Sequence, residues 1–385
     1  MLIKSGVRTL SLAAGLTLPL VAMAEPTFPR VSVWTAYDTG STYYIQASAL
    51  GGLLREHQNS NIRIIPGRND VARMTPLKTG QASYTMSGIA TYFAQEGVML
   101  FNSDEWGPQP LRVVSANFGG QAIGLAASGA SGIETPADLE GKRVAYVLGG
   151  DAMNMTTAAV LSYAGLTWDD VRKVEIGSPL EAIDSVLNGV AHVMPGSTGN
   201  PLIERLSGSP GGLSWVQLPA DTPEGKEAWE RIAETVPYYQ PITATEGVNI
   251  SEENPWHSGG YALPILATMA EQDEDEVYAL VKFMDEHFET FNRQAPAASG
   301  WAADKQNFEW IMPYHDGAIR YFTEKGIWSD EHQAHNDELV RRQQVLSEAW
   351  AEYMQTSGDN GFSTEEWSDY RAAALTEAGF IPGLR

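Results

Sequence analysis

The sequence contains no cysteine. Disulfides, thiolate metal centres and cysteine nucleophiles are excluded, so the core alone must hold the chain together. Basic side chains are scarce as well: 25 Lys and Arg stand against 48 Asp and Glu, a net charge of −23. Nucleic acid demands clustered Lys and Arg, and this balance argues against it. Beyond the first two dozen residues, no stretch reaches the roughly 18 apolar residues of a membrane-spanning helix. Catalytic signatures are missing too. There is no G-x-S-x-G elbow, no P-loop and no G-x-G-x-x-G; "PGSTGN" (Pro195–Asn200) comes nearest to the first, with the wrong spacing and no His/Asp partner. His332 and His335 have helical spacing but no third ligand can be named for a metal. No cofactor, no metal and no catalytic residue is therefore expected, and the chain reads as a binding protein rather than an enzyme.

What is present begins with a leader. "MLIKSGVR" carries Lys4 and Arg8, "TLSLAAGLTLPLVAMA" carries no charge, and the run ends in Ala22-Met23-Ala24. A basic start, an apolar stretch and a small-x-small end make a secretory signal over residues 1–24, cut before Glu25. Export to the periplasm is the expectation. The length of the chain suggests two domains or lobes.

After the leader, strand and helix patterns alternate. "VSVWTAY", "NIRIIP", "ASYTMSG" and "LRVVSANF" read as strands separated by helices, which implies parallel pairing. "DVARMTPLKTG" reads as a short helix interrupted by Pro76. The pattern restarts at "QAIGLAAS", and crossings between two α/β units are expected near Gly119–Ala127 and Tyr261–Thr268. Long helices then close the chain. The expected architecture is α/β: a two-lobe periplasmic-binding-protein-like fold with hinge crossing strands and a helical C-terminal extension. Lobe 1 would comprise 25–120 plus 264–385, and lobe 2 residues 121–263.

The recurring feature is a strand end followed by hydroxyl, Gly or amide residues that open a helix. Thr39-Gly40-Ser41-Thr42 before Tyr43 is the first, and Ser87-Gly88 before Tyr92 the second. Gly149-Gly150-Asp151 with Asn154, Ser178, and Ser197-Thr198-Gly199-Asn200 follow. Each is a fit for an ordinary helix cap, and each also leaves backbone N–H groups free for an anion. Five in one exported two-lobe protein would line one cleft if the lobes face each other. Arg68 and Arg73 lie at the second helix start, and Arg is the usual bidentate partner of a carboxylate.

The segments "YDTGSTYYIQASALGGLL", "GRNDVARMTPLKTGQASYTMSGIATYFAQEG", "GLTWDDV", "SPLEAIDSVLNGVAHVMPGSTGNP" and "PYHDGAIRYFTEKGIW" together resemble the TAXI family, the extracytoplasmic solute receptors associated with TRAP transporters. The resemblance spans nearly the whole chain after the leader. It implies a receptor that hands a small solute, a dicarboxylate or glutamate-like amino acid, to a TRAP membrane permease driven by an ion gradient. It implies ligand loops at Thr39–Tyr43, Gly149–Asn154 and Ser197–Asn200. Where the family's second helix commonly opens Ser-x-x-Asn, this chain has Asp70 and Arg73, a positive charge in place of an amide. The expected partners are a small anionic solute and the permease subunits, and a monomer is expected. An exported enzyme acting on a small acid, or a receptor serving an ABC permease or a sensor, are the other readings the sequence leaves open.

Overall fold

The computed structural model describes Met1 and residues 26–236, 238–357 and 361–384. The leader expected over residues 1–24 lies, apart from Met1, outside the described residues.

The first lobe alternates β1 (Val31–Ala36), α1 (Thr42–Gln58), β2 (Asn61–Pro66), α2 (Asp70–Lys78), β3 (Tyr84–Ser87), α3 (Ala90–Glu96) and β4 (Leu111–Ala116). The second contains β5 (Ile123–Ser128), β6 (Arg143–Val147), α4 (Asp151–Tyr163), β7 (Arg172–Ile176), α5 (Pro179–Leu187) and β8 (Val193–Ser197). It continues through α6 (Glu204–Ser207), β9 (Leu213–Trp215), α7 (Pro223–Thr235), β10 (Gln240–Ala244) and β11 (Trp256–Gly260). The chain then returns as β12 (Ile265–Met269) and ends in α8 (Glu274–Glu286), α9 (Phe288–Gln294), α10 (Asp316–Glu324), α11 (Asp330–Ser357) and α12 (Thr364–Glu377).

Two sheets result, ordered β2-β1-β3-β12-β4 and β10-β11-β5-β8-β6-β7, with β9 also on β5. Buried Trp34, Tyr84 and Phe93 anchor the first core; Leu125, Val144 and Trp256 are equally buried in the second. Pairing is mixed rather than parallel. β1 pairs parallel with β2 and β3, and β6 with β7 and β8. β12 is antiparallel to both β3 and β4, because β4 leaves the sheet for the other lobe and β12 is the returning leg. β5, at the matching place, is antiparallel to β8. The crossings are also shorter than the sequence suggests. β5 and β12 each belong to one sheet, so the chain passes between sheets over residues 117–122 and 261–264. Pro76 does not interrupt α2, which runs to Lys78. Thr75 donates its hydroxyl to the Val71 carbonyl (2.8 Å) beside the N–H that Pro76 lacks.

Two α/β lobes joined by two crossings form the hinge-closing architecture of periplasmic solute receptors, with a helical extension appended. The hinge is buttressed from the segment 296–301. The Ala297 carbonyl accepts from Asn117 Nδ2 (2.7 Å), Gln121 Nε2 (2.7 Å) and Gln46 Nε2 (3.2 Å).

Candidate functional site

The loop after β1 turns at Gly40 (φ 93°) into α1, whose first amides are capped by Ser41: the Tyr44 N–H donates to Ser41 Oγ at 3.3 Å. Asn69 does the same for α2, accepting from Ala72 N–H (2.8 Å), and Ser178 for α5, accepting from Glu181 N–H (3.3 Å). The ordinary capping role is thus filled at these starts. What the caps position is the seam between the lobes.

Five contacts close that seam. Thr42 donates its hydroxyl to the Gly199 carbonyl (2.6 Å). Asp70 N–H donates to Gly149 O (2.9 Å), and Ala152 N–H donates to Asp70 Oδ2 (3.0 Å). Leu100 N–H donates to Asp151 Oδ2 (2.8 Å). The exposed Arg68 pairs with Glu181 at 2.9 Å. The structure is therefore a closed form.

Behind the seam lies a tyrosine-walled cluster. Arg73 is buried, its guanidinium 3.4 Å above the Tyr37 ring and ion-paired with buried Asp70. Its Nη1 donates to Gly67 O at 3.1 Å. Tyr37 stacks on Tyr43, ring centroids 4.2 Å apart. Gly88 faces both phenols: a Cβ there would lie 3.3 Å from the Tyr43 hydroxyl and 3.5 Å from that of Tyr37. Tyr92 of the first lobe meets Tyr238 of the second edge-on at 6.0 Å, and Tyr238 meets the hinge residue Tyr261 at 5.6 Å. Of the five buried side-chain polar atoms without a hydrogen-bond partner among the described residues, three belong here: Arg73 Nε, Ser87 Oγ and Tyr238 Oη.

Electrostatics follow from burial. Desolvation pushes the Tyr37 phenol up to about 12 against the opposing charge of Arg73, and drives Tyr43, Tyr238 and Tyr261 well above their ordinary range. All four stay protonated as donors. Asp70 is raised by burial, with Arg73 pulling the other way. Asp151 is raised by burial and, further, by the charge of Asp70.

The structure brings Arg73, Tyr43, Ser87 and Tyr92 into the cluster, and Gly40, Thr42 and Asp151 onto the seam. Thr39 is exposed. Gly150 starts α4, and Asn154 is turned to its own strand, its amide accepting from Val147 N–H (3.0 Å) and donating to Val147 O (2.8 Å). Ser197 is buried at the end of β8, Thr198 Oγ1 accepts from Ala122 N–H (3.2 Å) at the hinge, and Asn200 Oδ1 accepts from Leu202 N–H (3.0 Å). Sequence reasoning missed Tyr37, Tyr238 and Tyr261. Two of the three adjoin chain segments singled out as a strand end and a crossing, and that adjacency was the available signal. A cavity of about 780 Å³ lies beside the hinge, lined by Gln121, Thr198, Asn200 and Ala297 among others. None of the three unpartnered atoms lines it. A smaller cavity of about 200 Å³ does reach Tyr238 and Tyr261. Among the described residues no group of three or more His, Asp or Glu could hold a metal, and no helix is long and apolar enough to cross a membrane.

The model of the NMT1-like family matches residues 35–326. Among solved structures, the chain is similar to the alkanesulfonate-binding protein SsuA from Xanthomonas axonopodis pv. citri, bound to MOPS, at 14% identity and TM-score 0.42, covering 86% of this chain and 94% of that one. The periplasmic aliphatic sulphonate-binding protein SsuA from Escherichia coli matches at 15% identity and TM-score 0.43, over 85% and 94%. An ancestral arginine-binding protein bound to arginine matches at 12% identity and TM-score 0.40, over 69% and 97%.

Proposed function

The chain belongs to the NMT1-like family, and from that premise we propose that it is a periplasmic solute receptor that closes on a small, amino-acid-like carboxylate. One observation carries the reading: Arg73 Nε, Ser87 Oγ and Tyr238 Oη are buried without hydrogen-bond partners. An unsatisfied buried polar group costs about 1–3 kcal/mol, so three penalise an empty closed state by about 3–9 kcal/mol. A solute that satisfies them relieves that penalty and tightens a closed form that the seam contacts already hold.

Charge narrows the solute. Asp70 already balances Arg73, and Asp151 stands at the seam with its carboxylate half-buried. A dicarboxylate would meet no net positive charge. A solute with one carboxylate and one ammonium suits the Arg73 Nε and the hydroxyls on one side and Asp151 on the other. The loops Thr39–Tyr43 with Arg68 on the first lobe, and Gly150 with Ser197, Thr198 and Asn200 on the second, would close over the solute from the two sides; Asn154 braces the turn before α4. Delivery would be to a TRAP-type permease powered by an ion gradient, the partner implied by the TAXI resemblance. Calorimetry against amino acids, dicarboxylates, sulfonates and neutral sugars tests this. Amino acids are expected to bind most tightly, and Arg73→Gln to weaken them by about 1.5–3 kcal/mol, roughly tenfold to a hundredfold in Kd. Binding of a neutral sugar alone would sink the reading.

A further inference from the structure

We propose that Asp70 is a positioning residue that ties the solute-facing Arg73 to docking of the opposite lobe, and this rests on reading the Arg73 wall as the solute site. The two carboxylate oxygens of Asp70 face different lobes. Oδ1 holds the Arg73 guanidinium of its own helix, and Oδ2 accepts the Ala152 N–H at the start of α4 (3.0 Å). The Asp70 N–H reaches across in the other direction, donating to Gly149 O (2.9 Å). Both donors sit in the first turn of a helix, where an N–H has no acceptor within its own helix. Each is satisfied only by the other lobe. The carboxylate also meets the positive end of the α4 dipole, where an anion is favoured.

The remaining seam contacts lack this arrangement. Arg68–Glu181 is solvent-exposed and weak for that reason. Thr42–Gly199 and Leu100–Asp151 do not touch the Arg73 wall. Asp70 alone is buried, charged and shared between that wall and the second lobe. A solute held at Arg73 Nε fixes the guanidinium, the guanidinium fixes Oδ1, and the rigid carboxylate plane then aims Oδ2 at Ala152. Occupancy is transmitted to the other lobe through a single side chain.

Amide hydrogen exchange read by NMR on the full-length protein, with no solute added, tests the proposal. The amides of Asp70 and Ala152 are expected to exchange at least tenfold more slowly than free-peptide rates. In Asp70→Asn, whose amide cannot accept from both donors at once, the Ala152 amide and the amide at position 70 should both speed up tenfold or more, while Val160 inside α4 stays unchanged. The double variant Asp70→Asn/Arg73→Gln leaves no unpaired buried charge and should give the same result even if the single variant folds poorly. Arg73→Gln alone keeps Asp70 but removes its holder, and should also release Ala152. Free-peptide exchange of Ala152 in the parent protein, or unchanged exchange in the Asp70 variants, overturns the latch; unchanged exchange in Arg73→Gln overturns its link to the solute wall. Because no solute takes part, these outcomes are independent of whether the solute is a carboxylate.

Discussion

Glu96→Gln is expected to lower folding stability at neutral pH by about 3–5 kcal/mol, the usual result of breaking a buried ion pair from one side. The Glu96 carboxylate is fully buried and receives Arg342 Nε (2.9 Å) and Nη2 (2.6 Å) from α11 and Arg371 Nη2 from α12. Arg371 Nε also donates to the Glu96 carbonyl at 2.9 Å, and Trp367 Nε1 to the Gly97 carbonyl at 3.2 Å. The two arginines go on to hold the tail, donating to Ile381 O (2.9 Å) and Leu384 O (2.8 Å). Removing the charge at Glu96 leaves two buried guanidinium groups without a counter-ion and frees the end of α3. The sign of the pH effect follows. Burial alone would raise the Glu96 carboxyl, but the Arg342 hydrogen bonds and the charges of Arg371 and Arg342 outweigh it and hold it below its ordinary value. Its contribution is present above the unfolded value of about 4.3 and is lost as pH falls through the lower folded value. Denaturant midpoints measured from pH 7 downward should therefore fall below about pH 4 in the parent protein. In Glu96→Gln the midpoint should start lower and show less of that fall. Equal midpoints at pH 7 would remove the triad from the stability of the fold.

The triad matters for more than stability, because α3 carries Tyr92 one turn before Glu96. The last two helices, α11 and α12, lie beyond residue 326, where the family match ends, yet they grip the helix that carries Tyr92 into the tyrosine cluster. Gly383 of the tail comes within reach of Tyr92: a Cβ there would stand 3.7 Å from the phenol oxygen. A segment outside the matched region thus helps set one wall of the cleft.

How much of this could be read in the sequence depends on the range of the physics involved. Strand and helix alternation is local, so the two lobes and the helical end were legible. The helix-opening hydroxyls at Ser41 and Ser178 were legible for the same reason. The antiparallel placement of β12 was not, because it is set by the return of the chain from the other lobe. Arg73 stood out as a cation at a helix start. That Asp70 balances it and reaches α4 depends on a contact 82 positions along the chain, which no local pattern encodes. The tyrosine cluster was illegible for a like reason. Tyr37, Tyr238 and Tyr261 come from a strand end, a loop and a crossing, and only the tertiary fold makes them neighbours.

The hinge itself yields the other large effect. Gly300→Ala is expected to destabilise the protein by about 3 kcal/mol, at the upper end of ordinary overpacking. A Cβ at Gly300 would stand 1.8 Å from the Gly119 nitrogen, 2.1 Å from Asn117 Oδ1 and 2.5 Å from Gly119 Cα. Two of those atoms are backbone of the first crossing, so no side-chain rotation relieves the clash; the 296–301 segment and the crossing must part. The third belongs to Asn117, whose amide holds the Ala297 carbonyl (2.7 Å), so the bonds that converge on that carbonyl are strained by the same methyl group. The damage therefore falls on the element about which the lobes turn, and solute affinity should drop along with stability. Gly52→Ala is the matched control. Gly52 lies within α1 with nothing within 4 Å of an added Cβ, and there the substitution should stabilise by about 0.5–1 kcal/mol. Urea midpoints for the two variants should move in opposite directions, and small-angle scattering should show Gly300→Ala more open than its parent. A Gly300→Ala protein with the parent's midpoint and the parent's scattering profile would mean that the contact between Gly119 and Gly300 does not constrain the hinge.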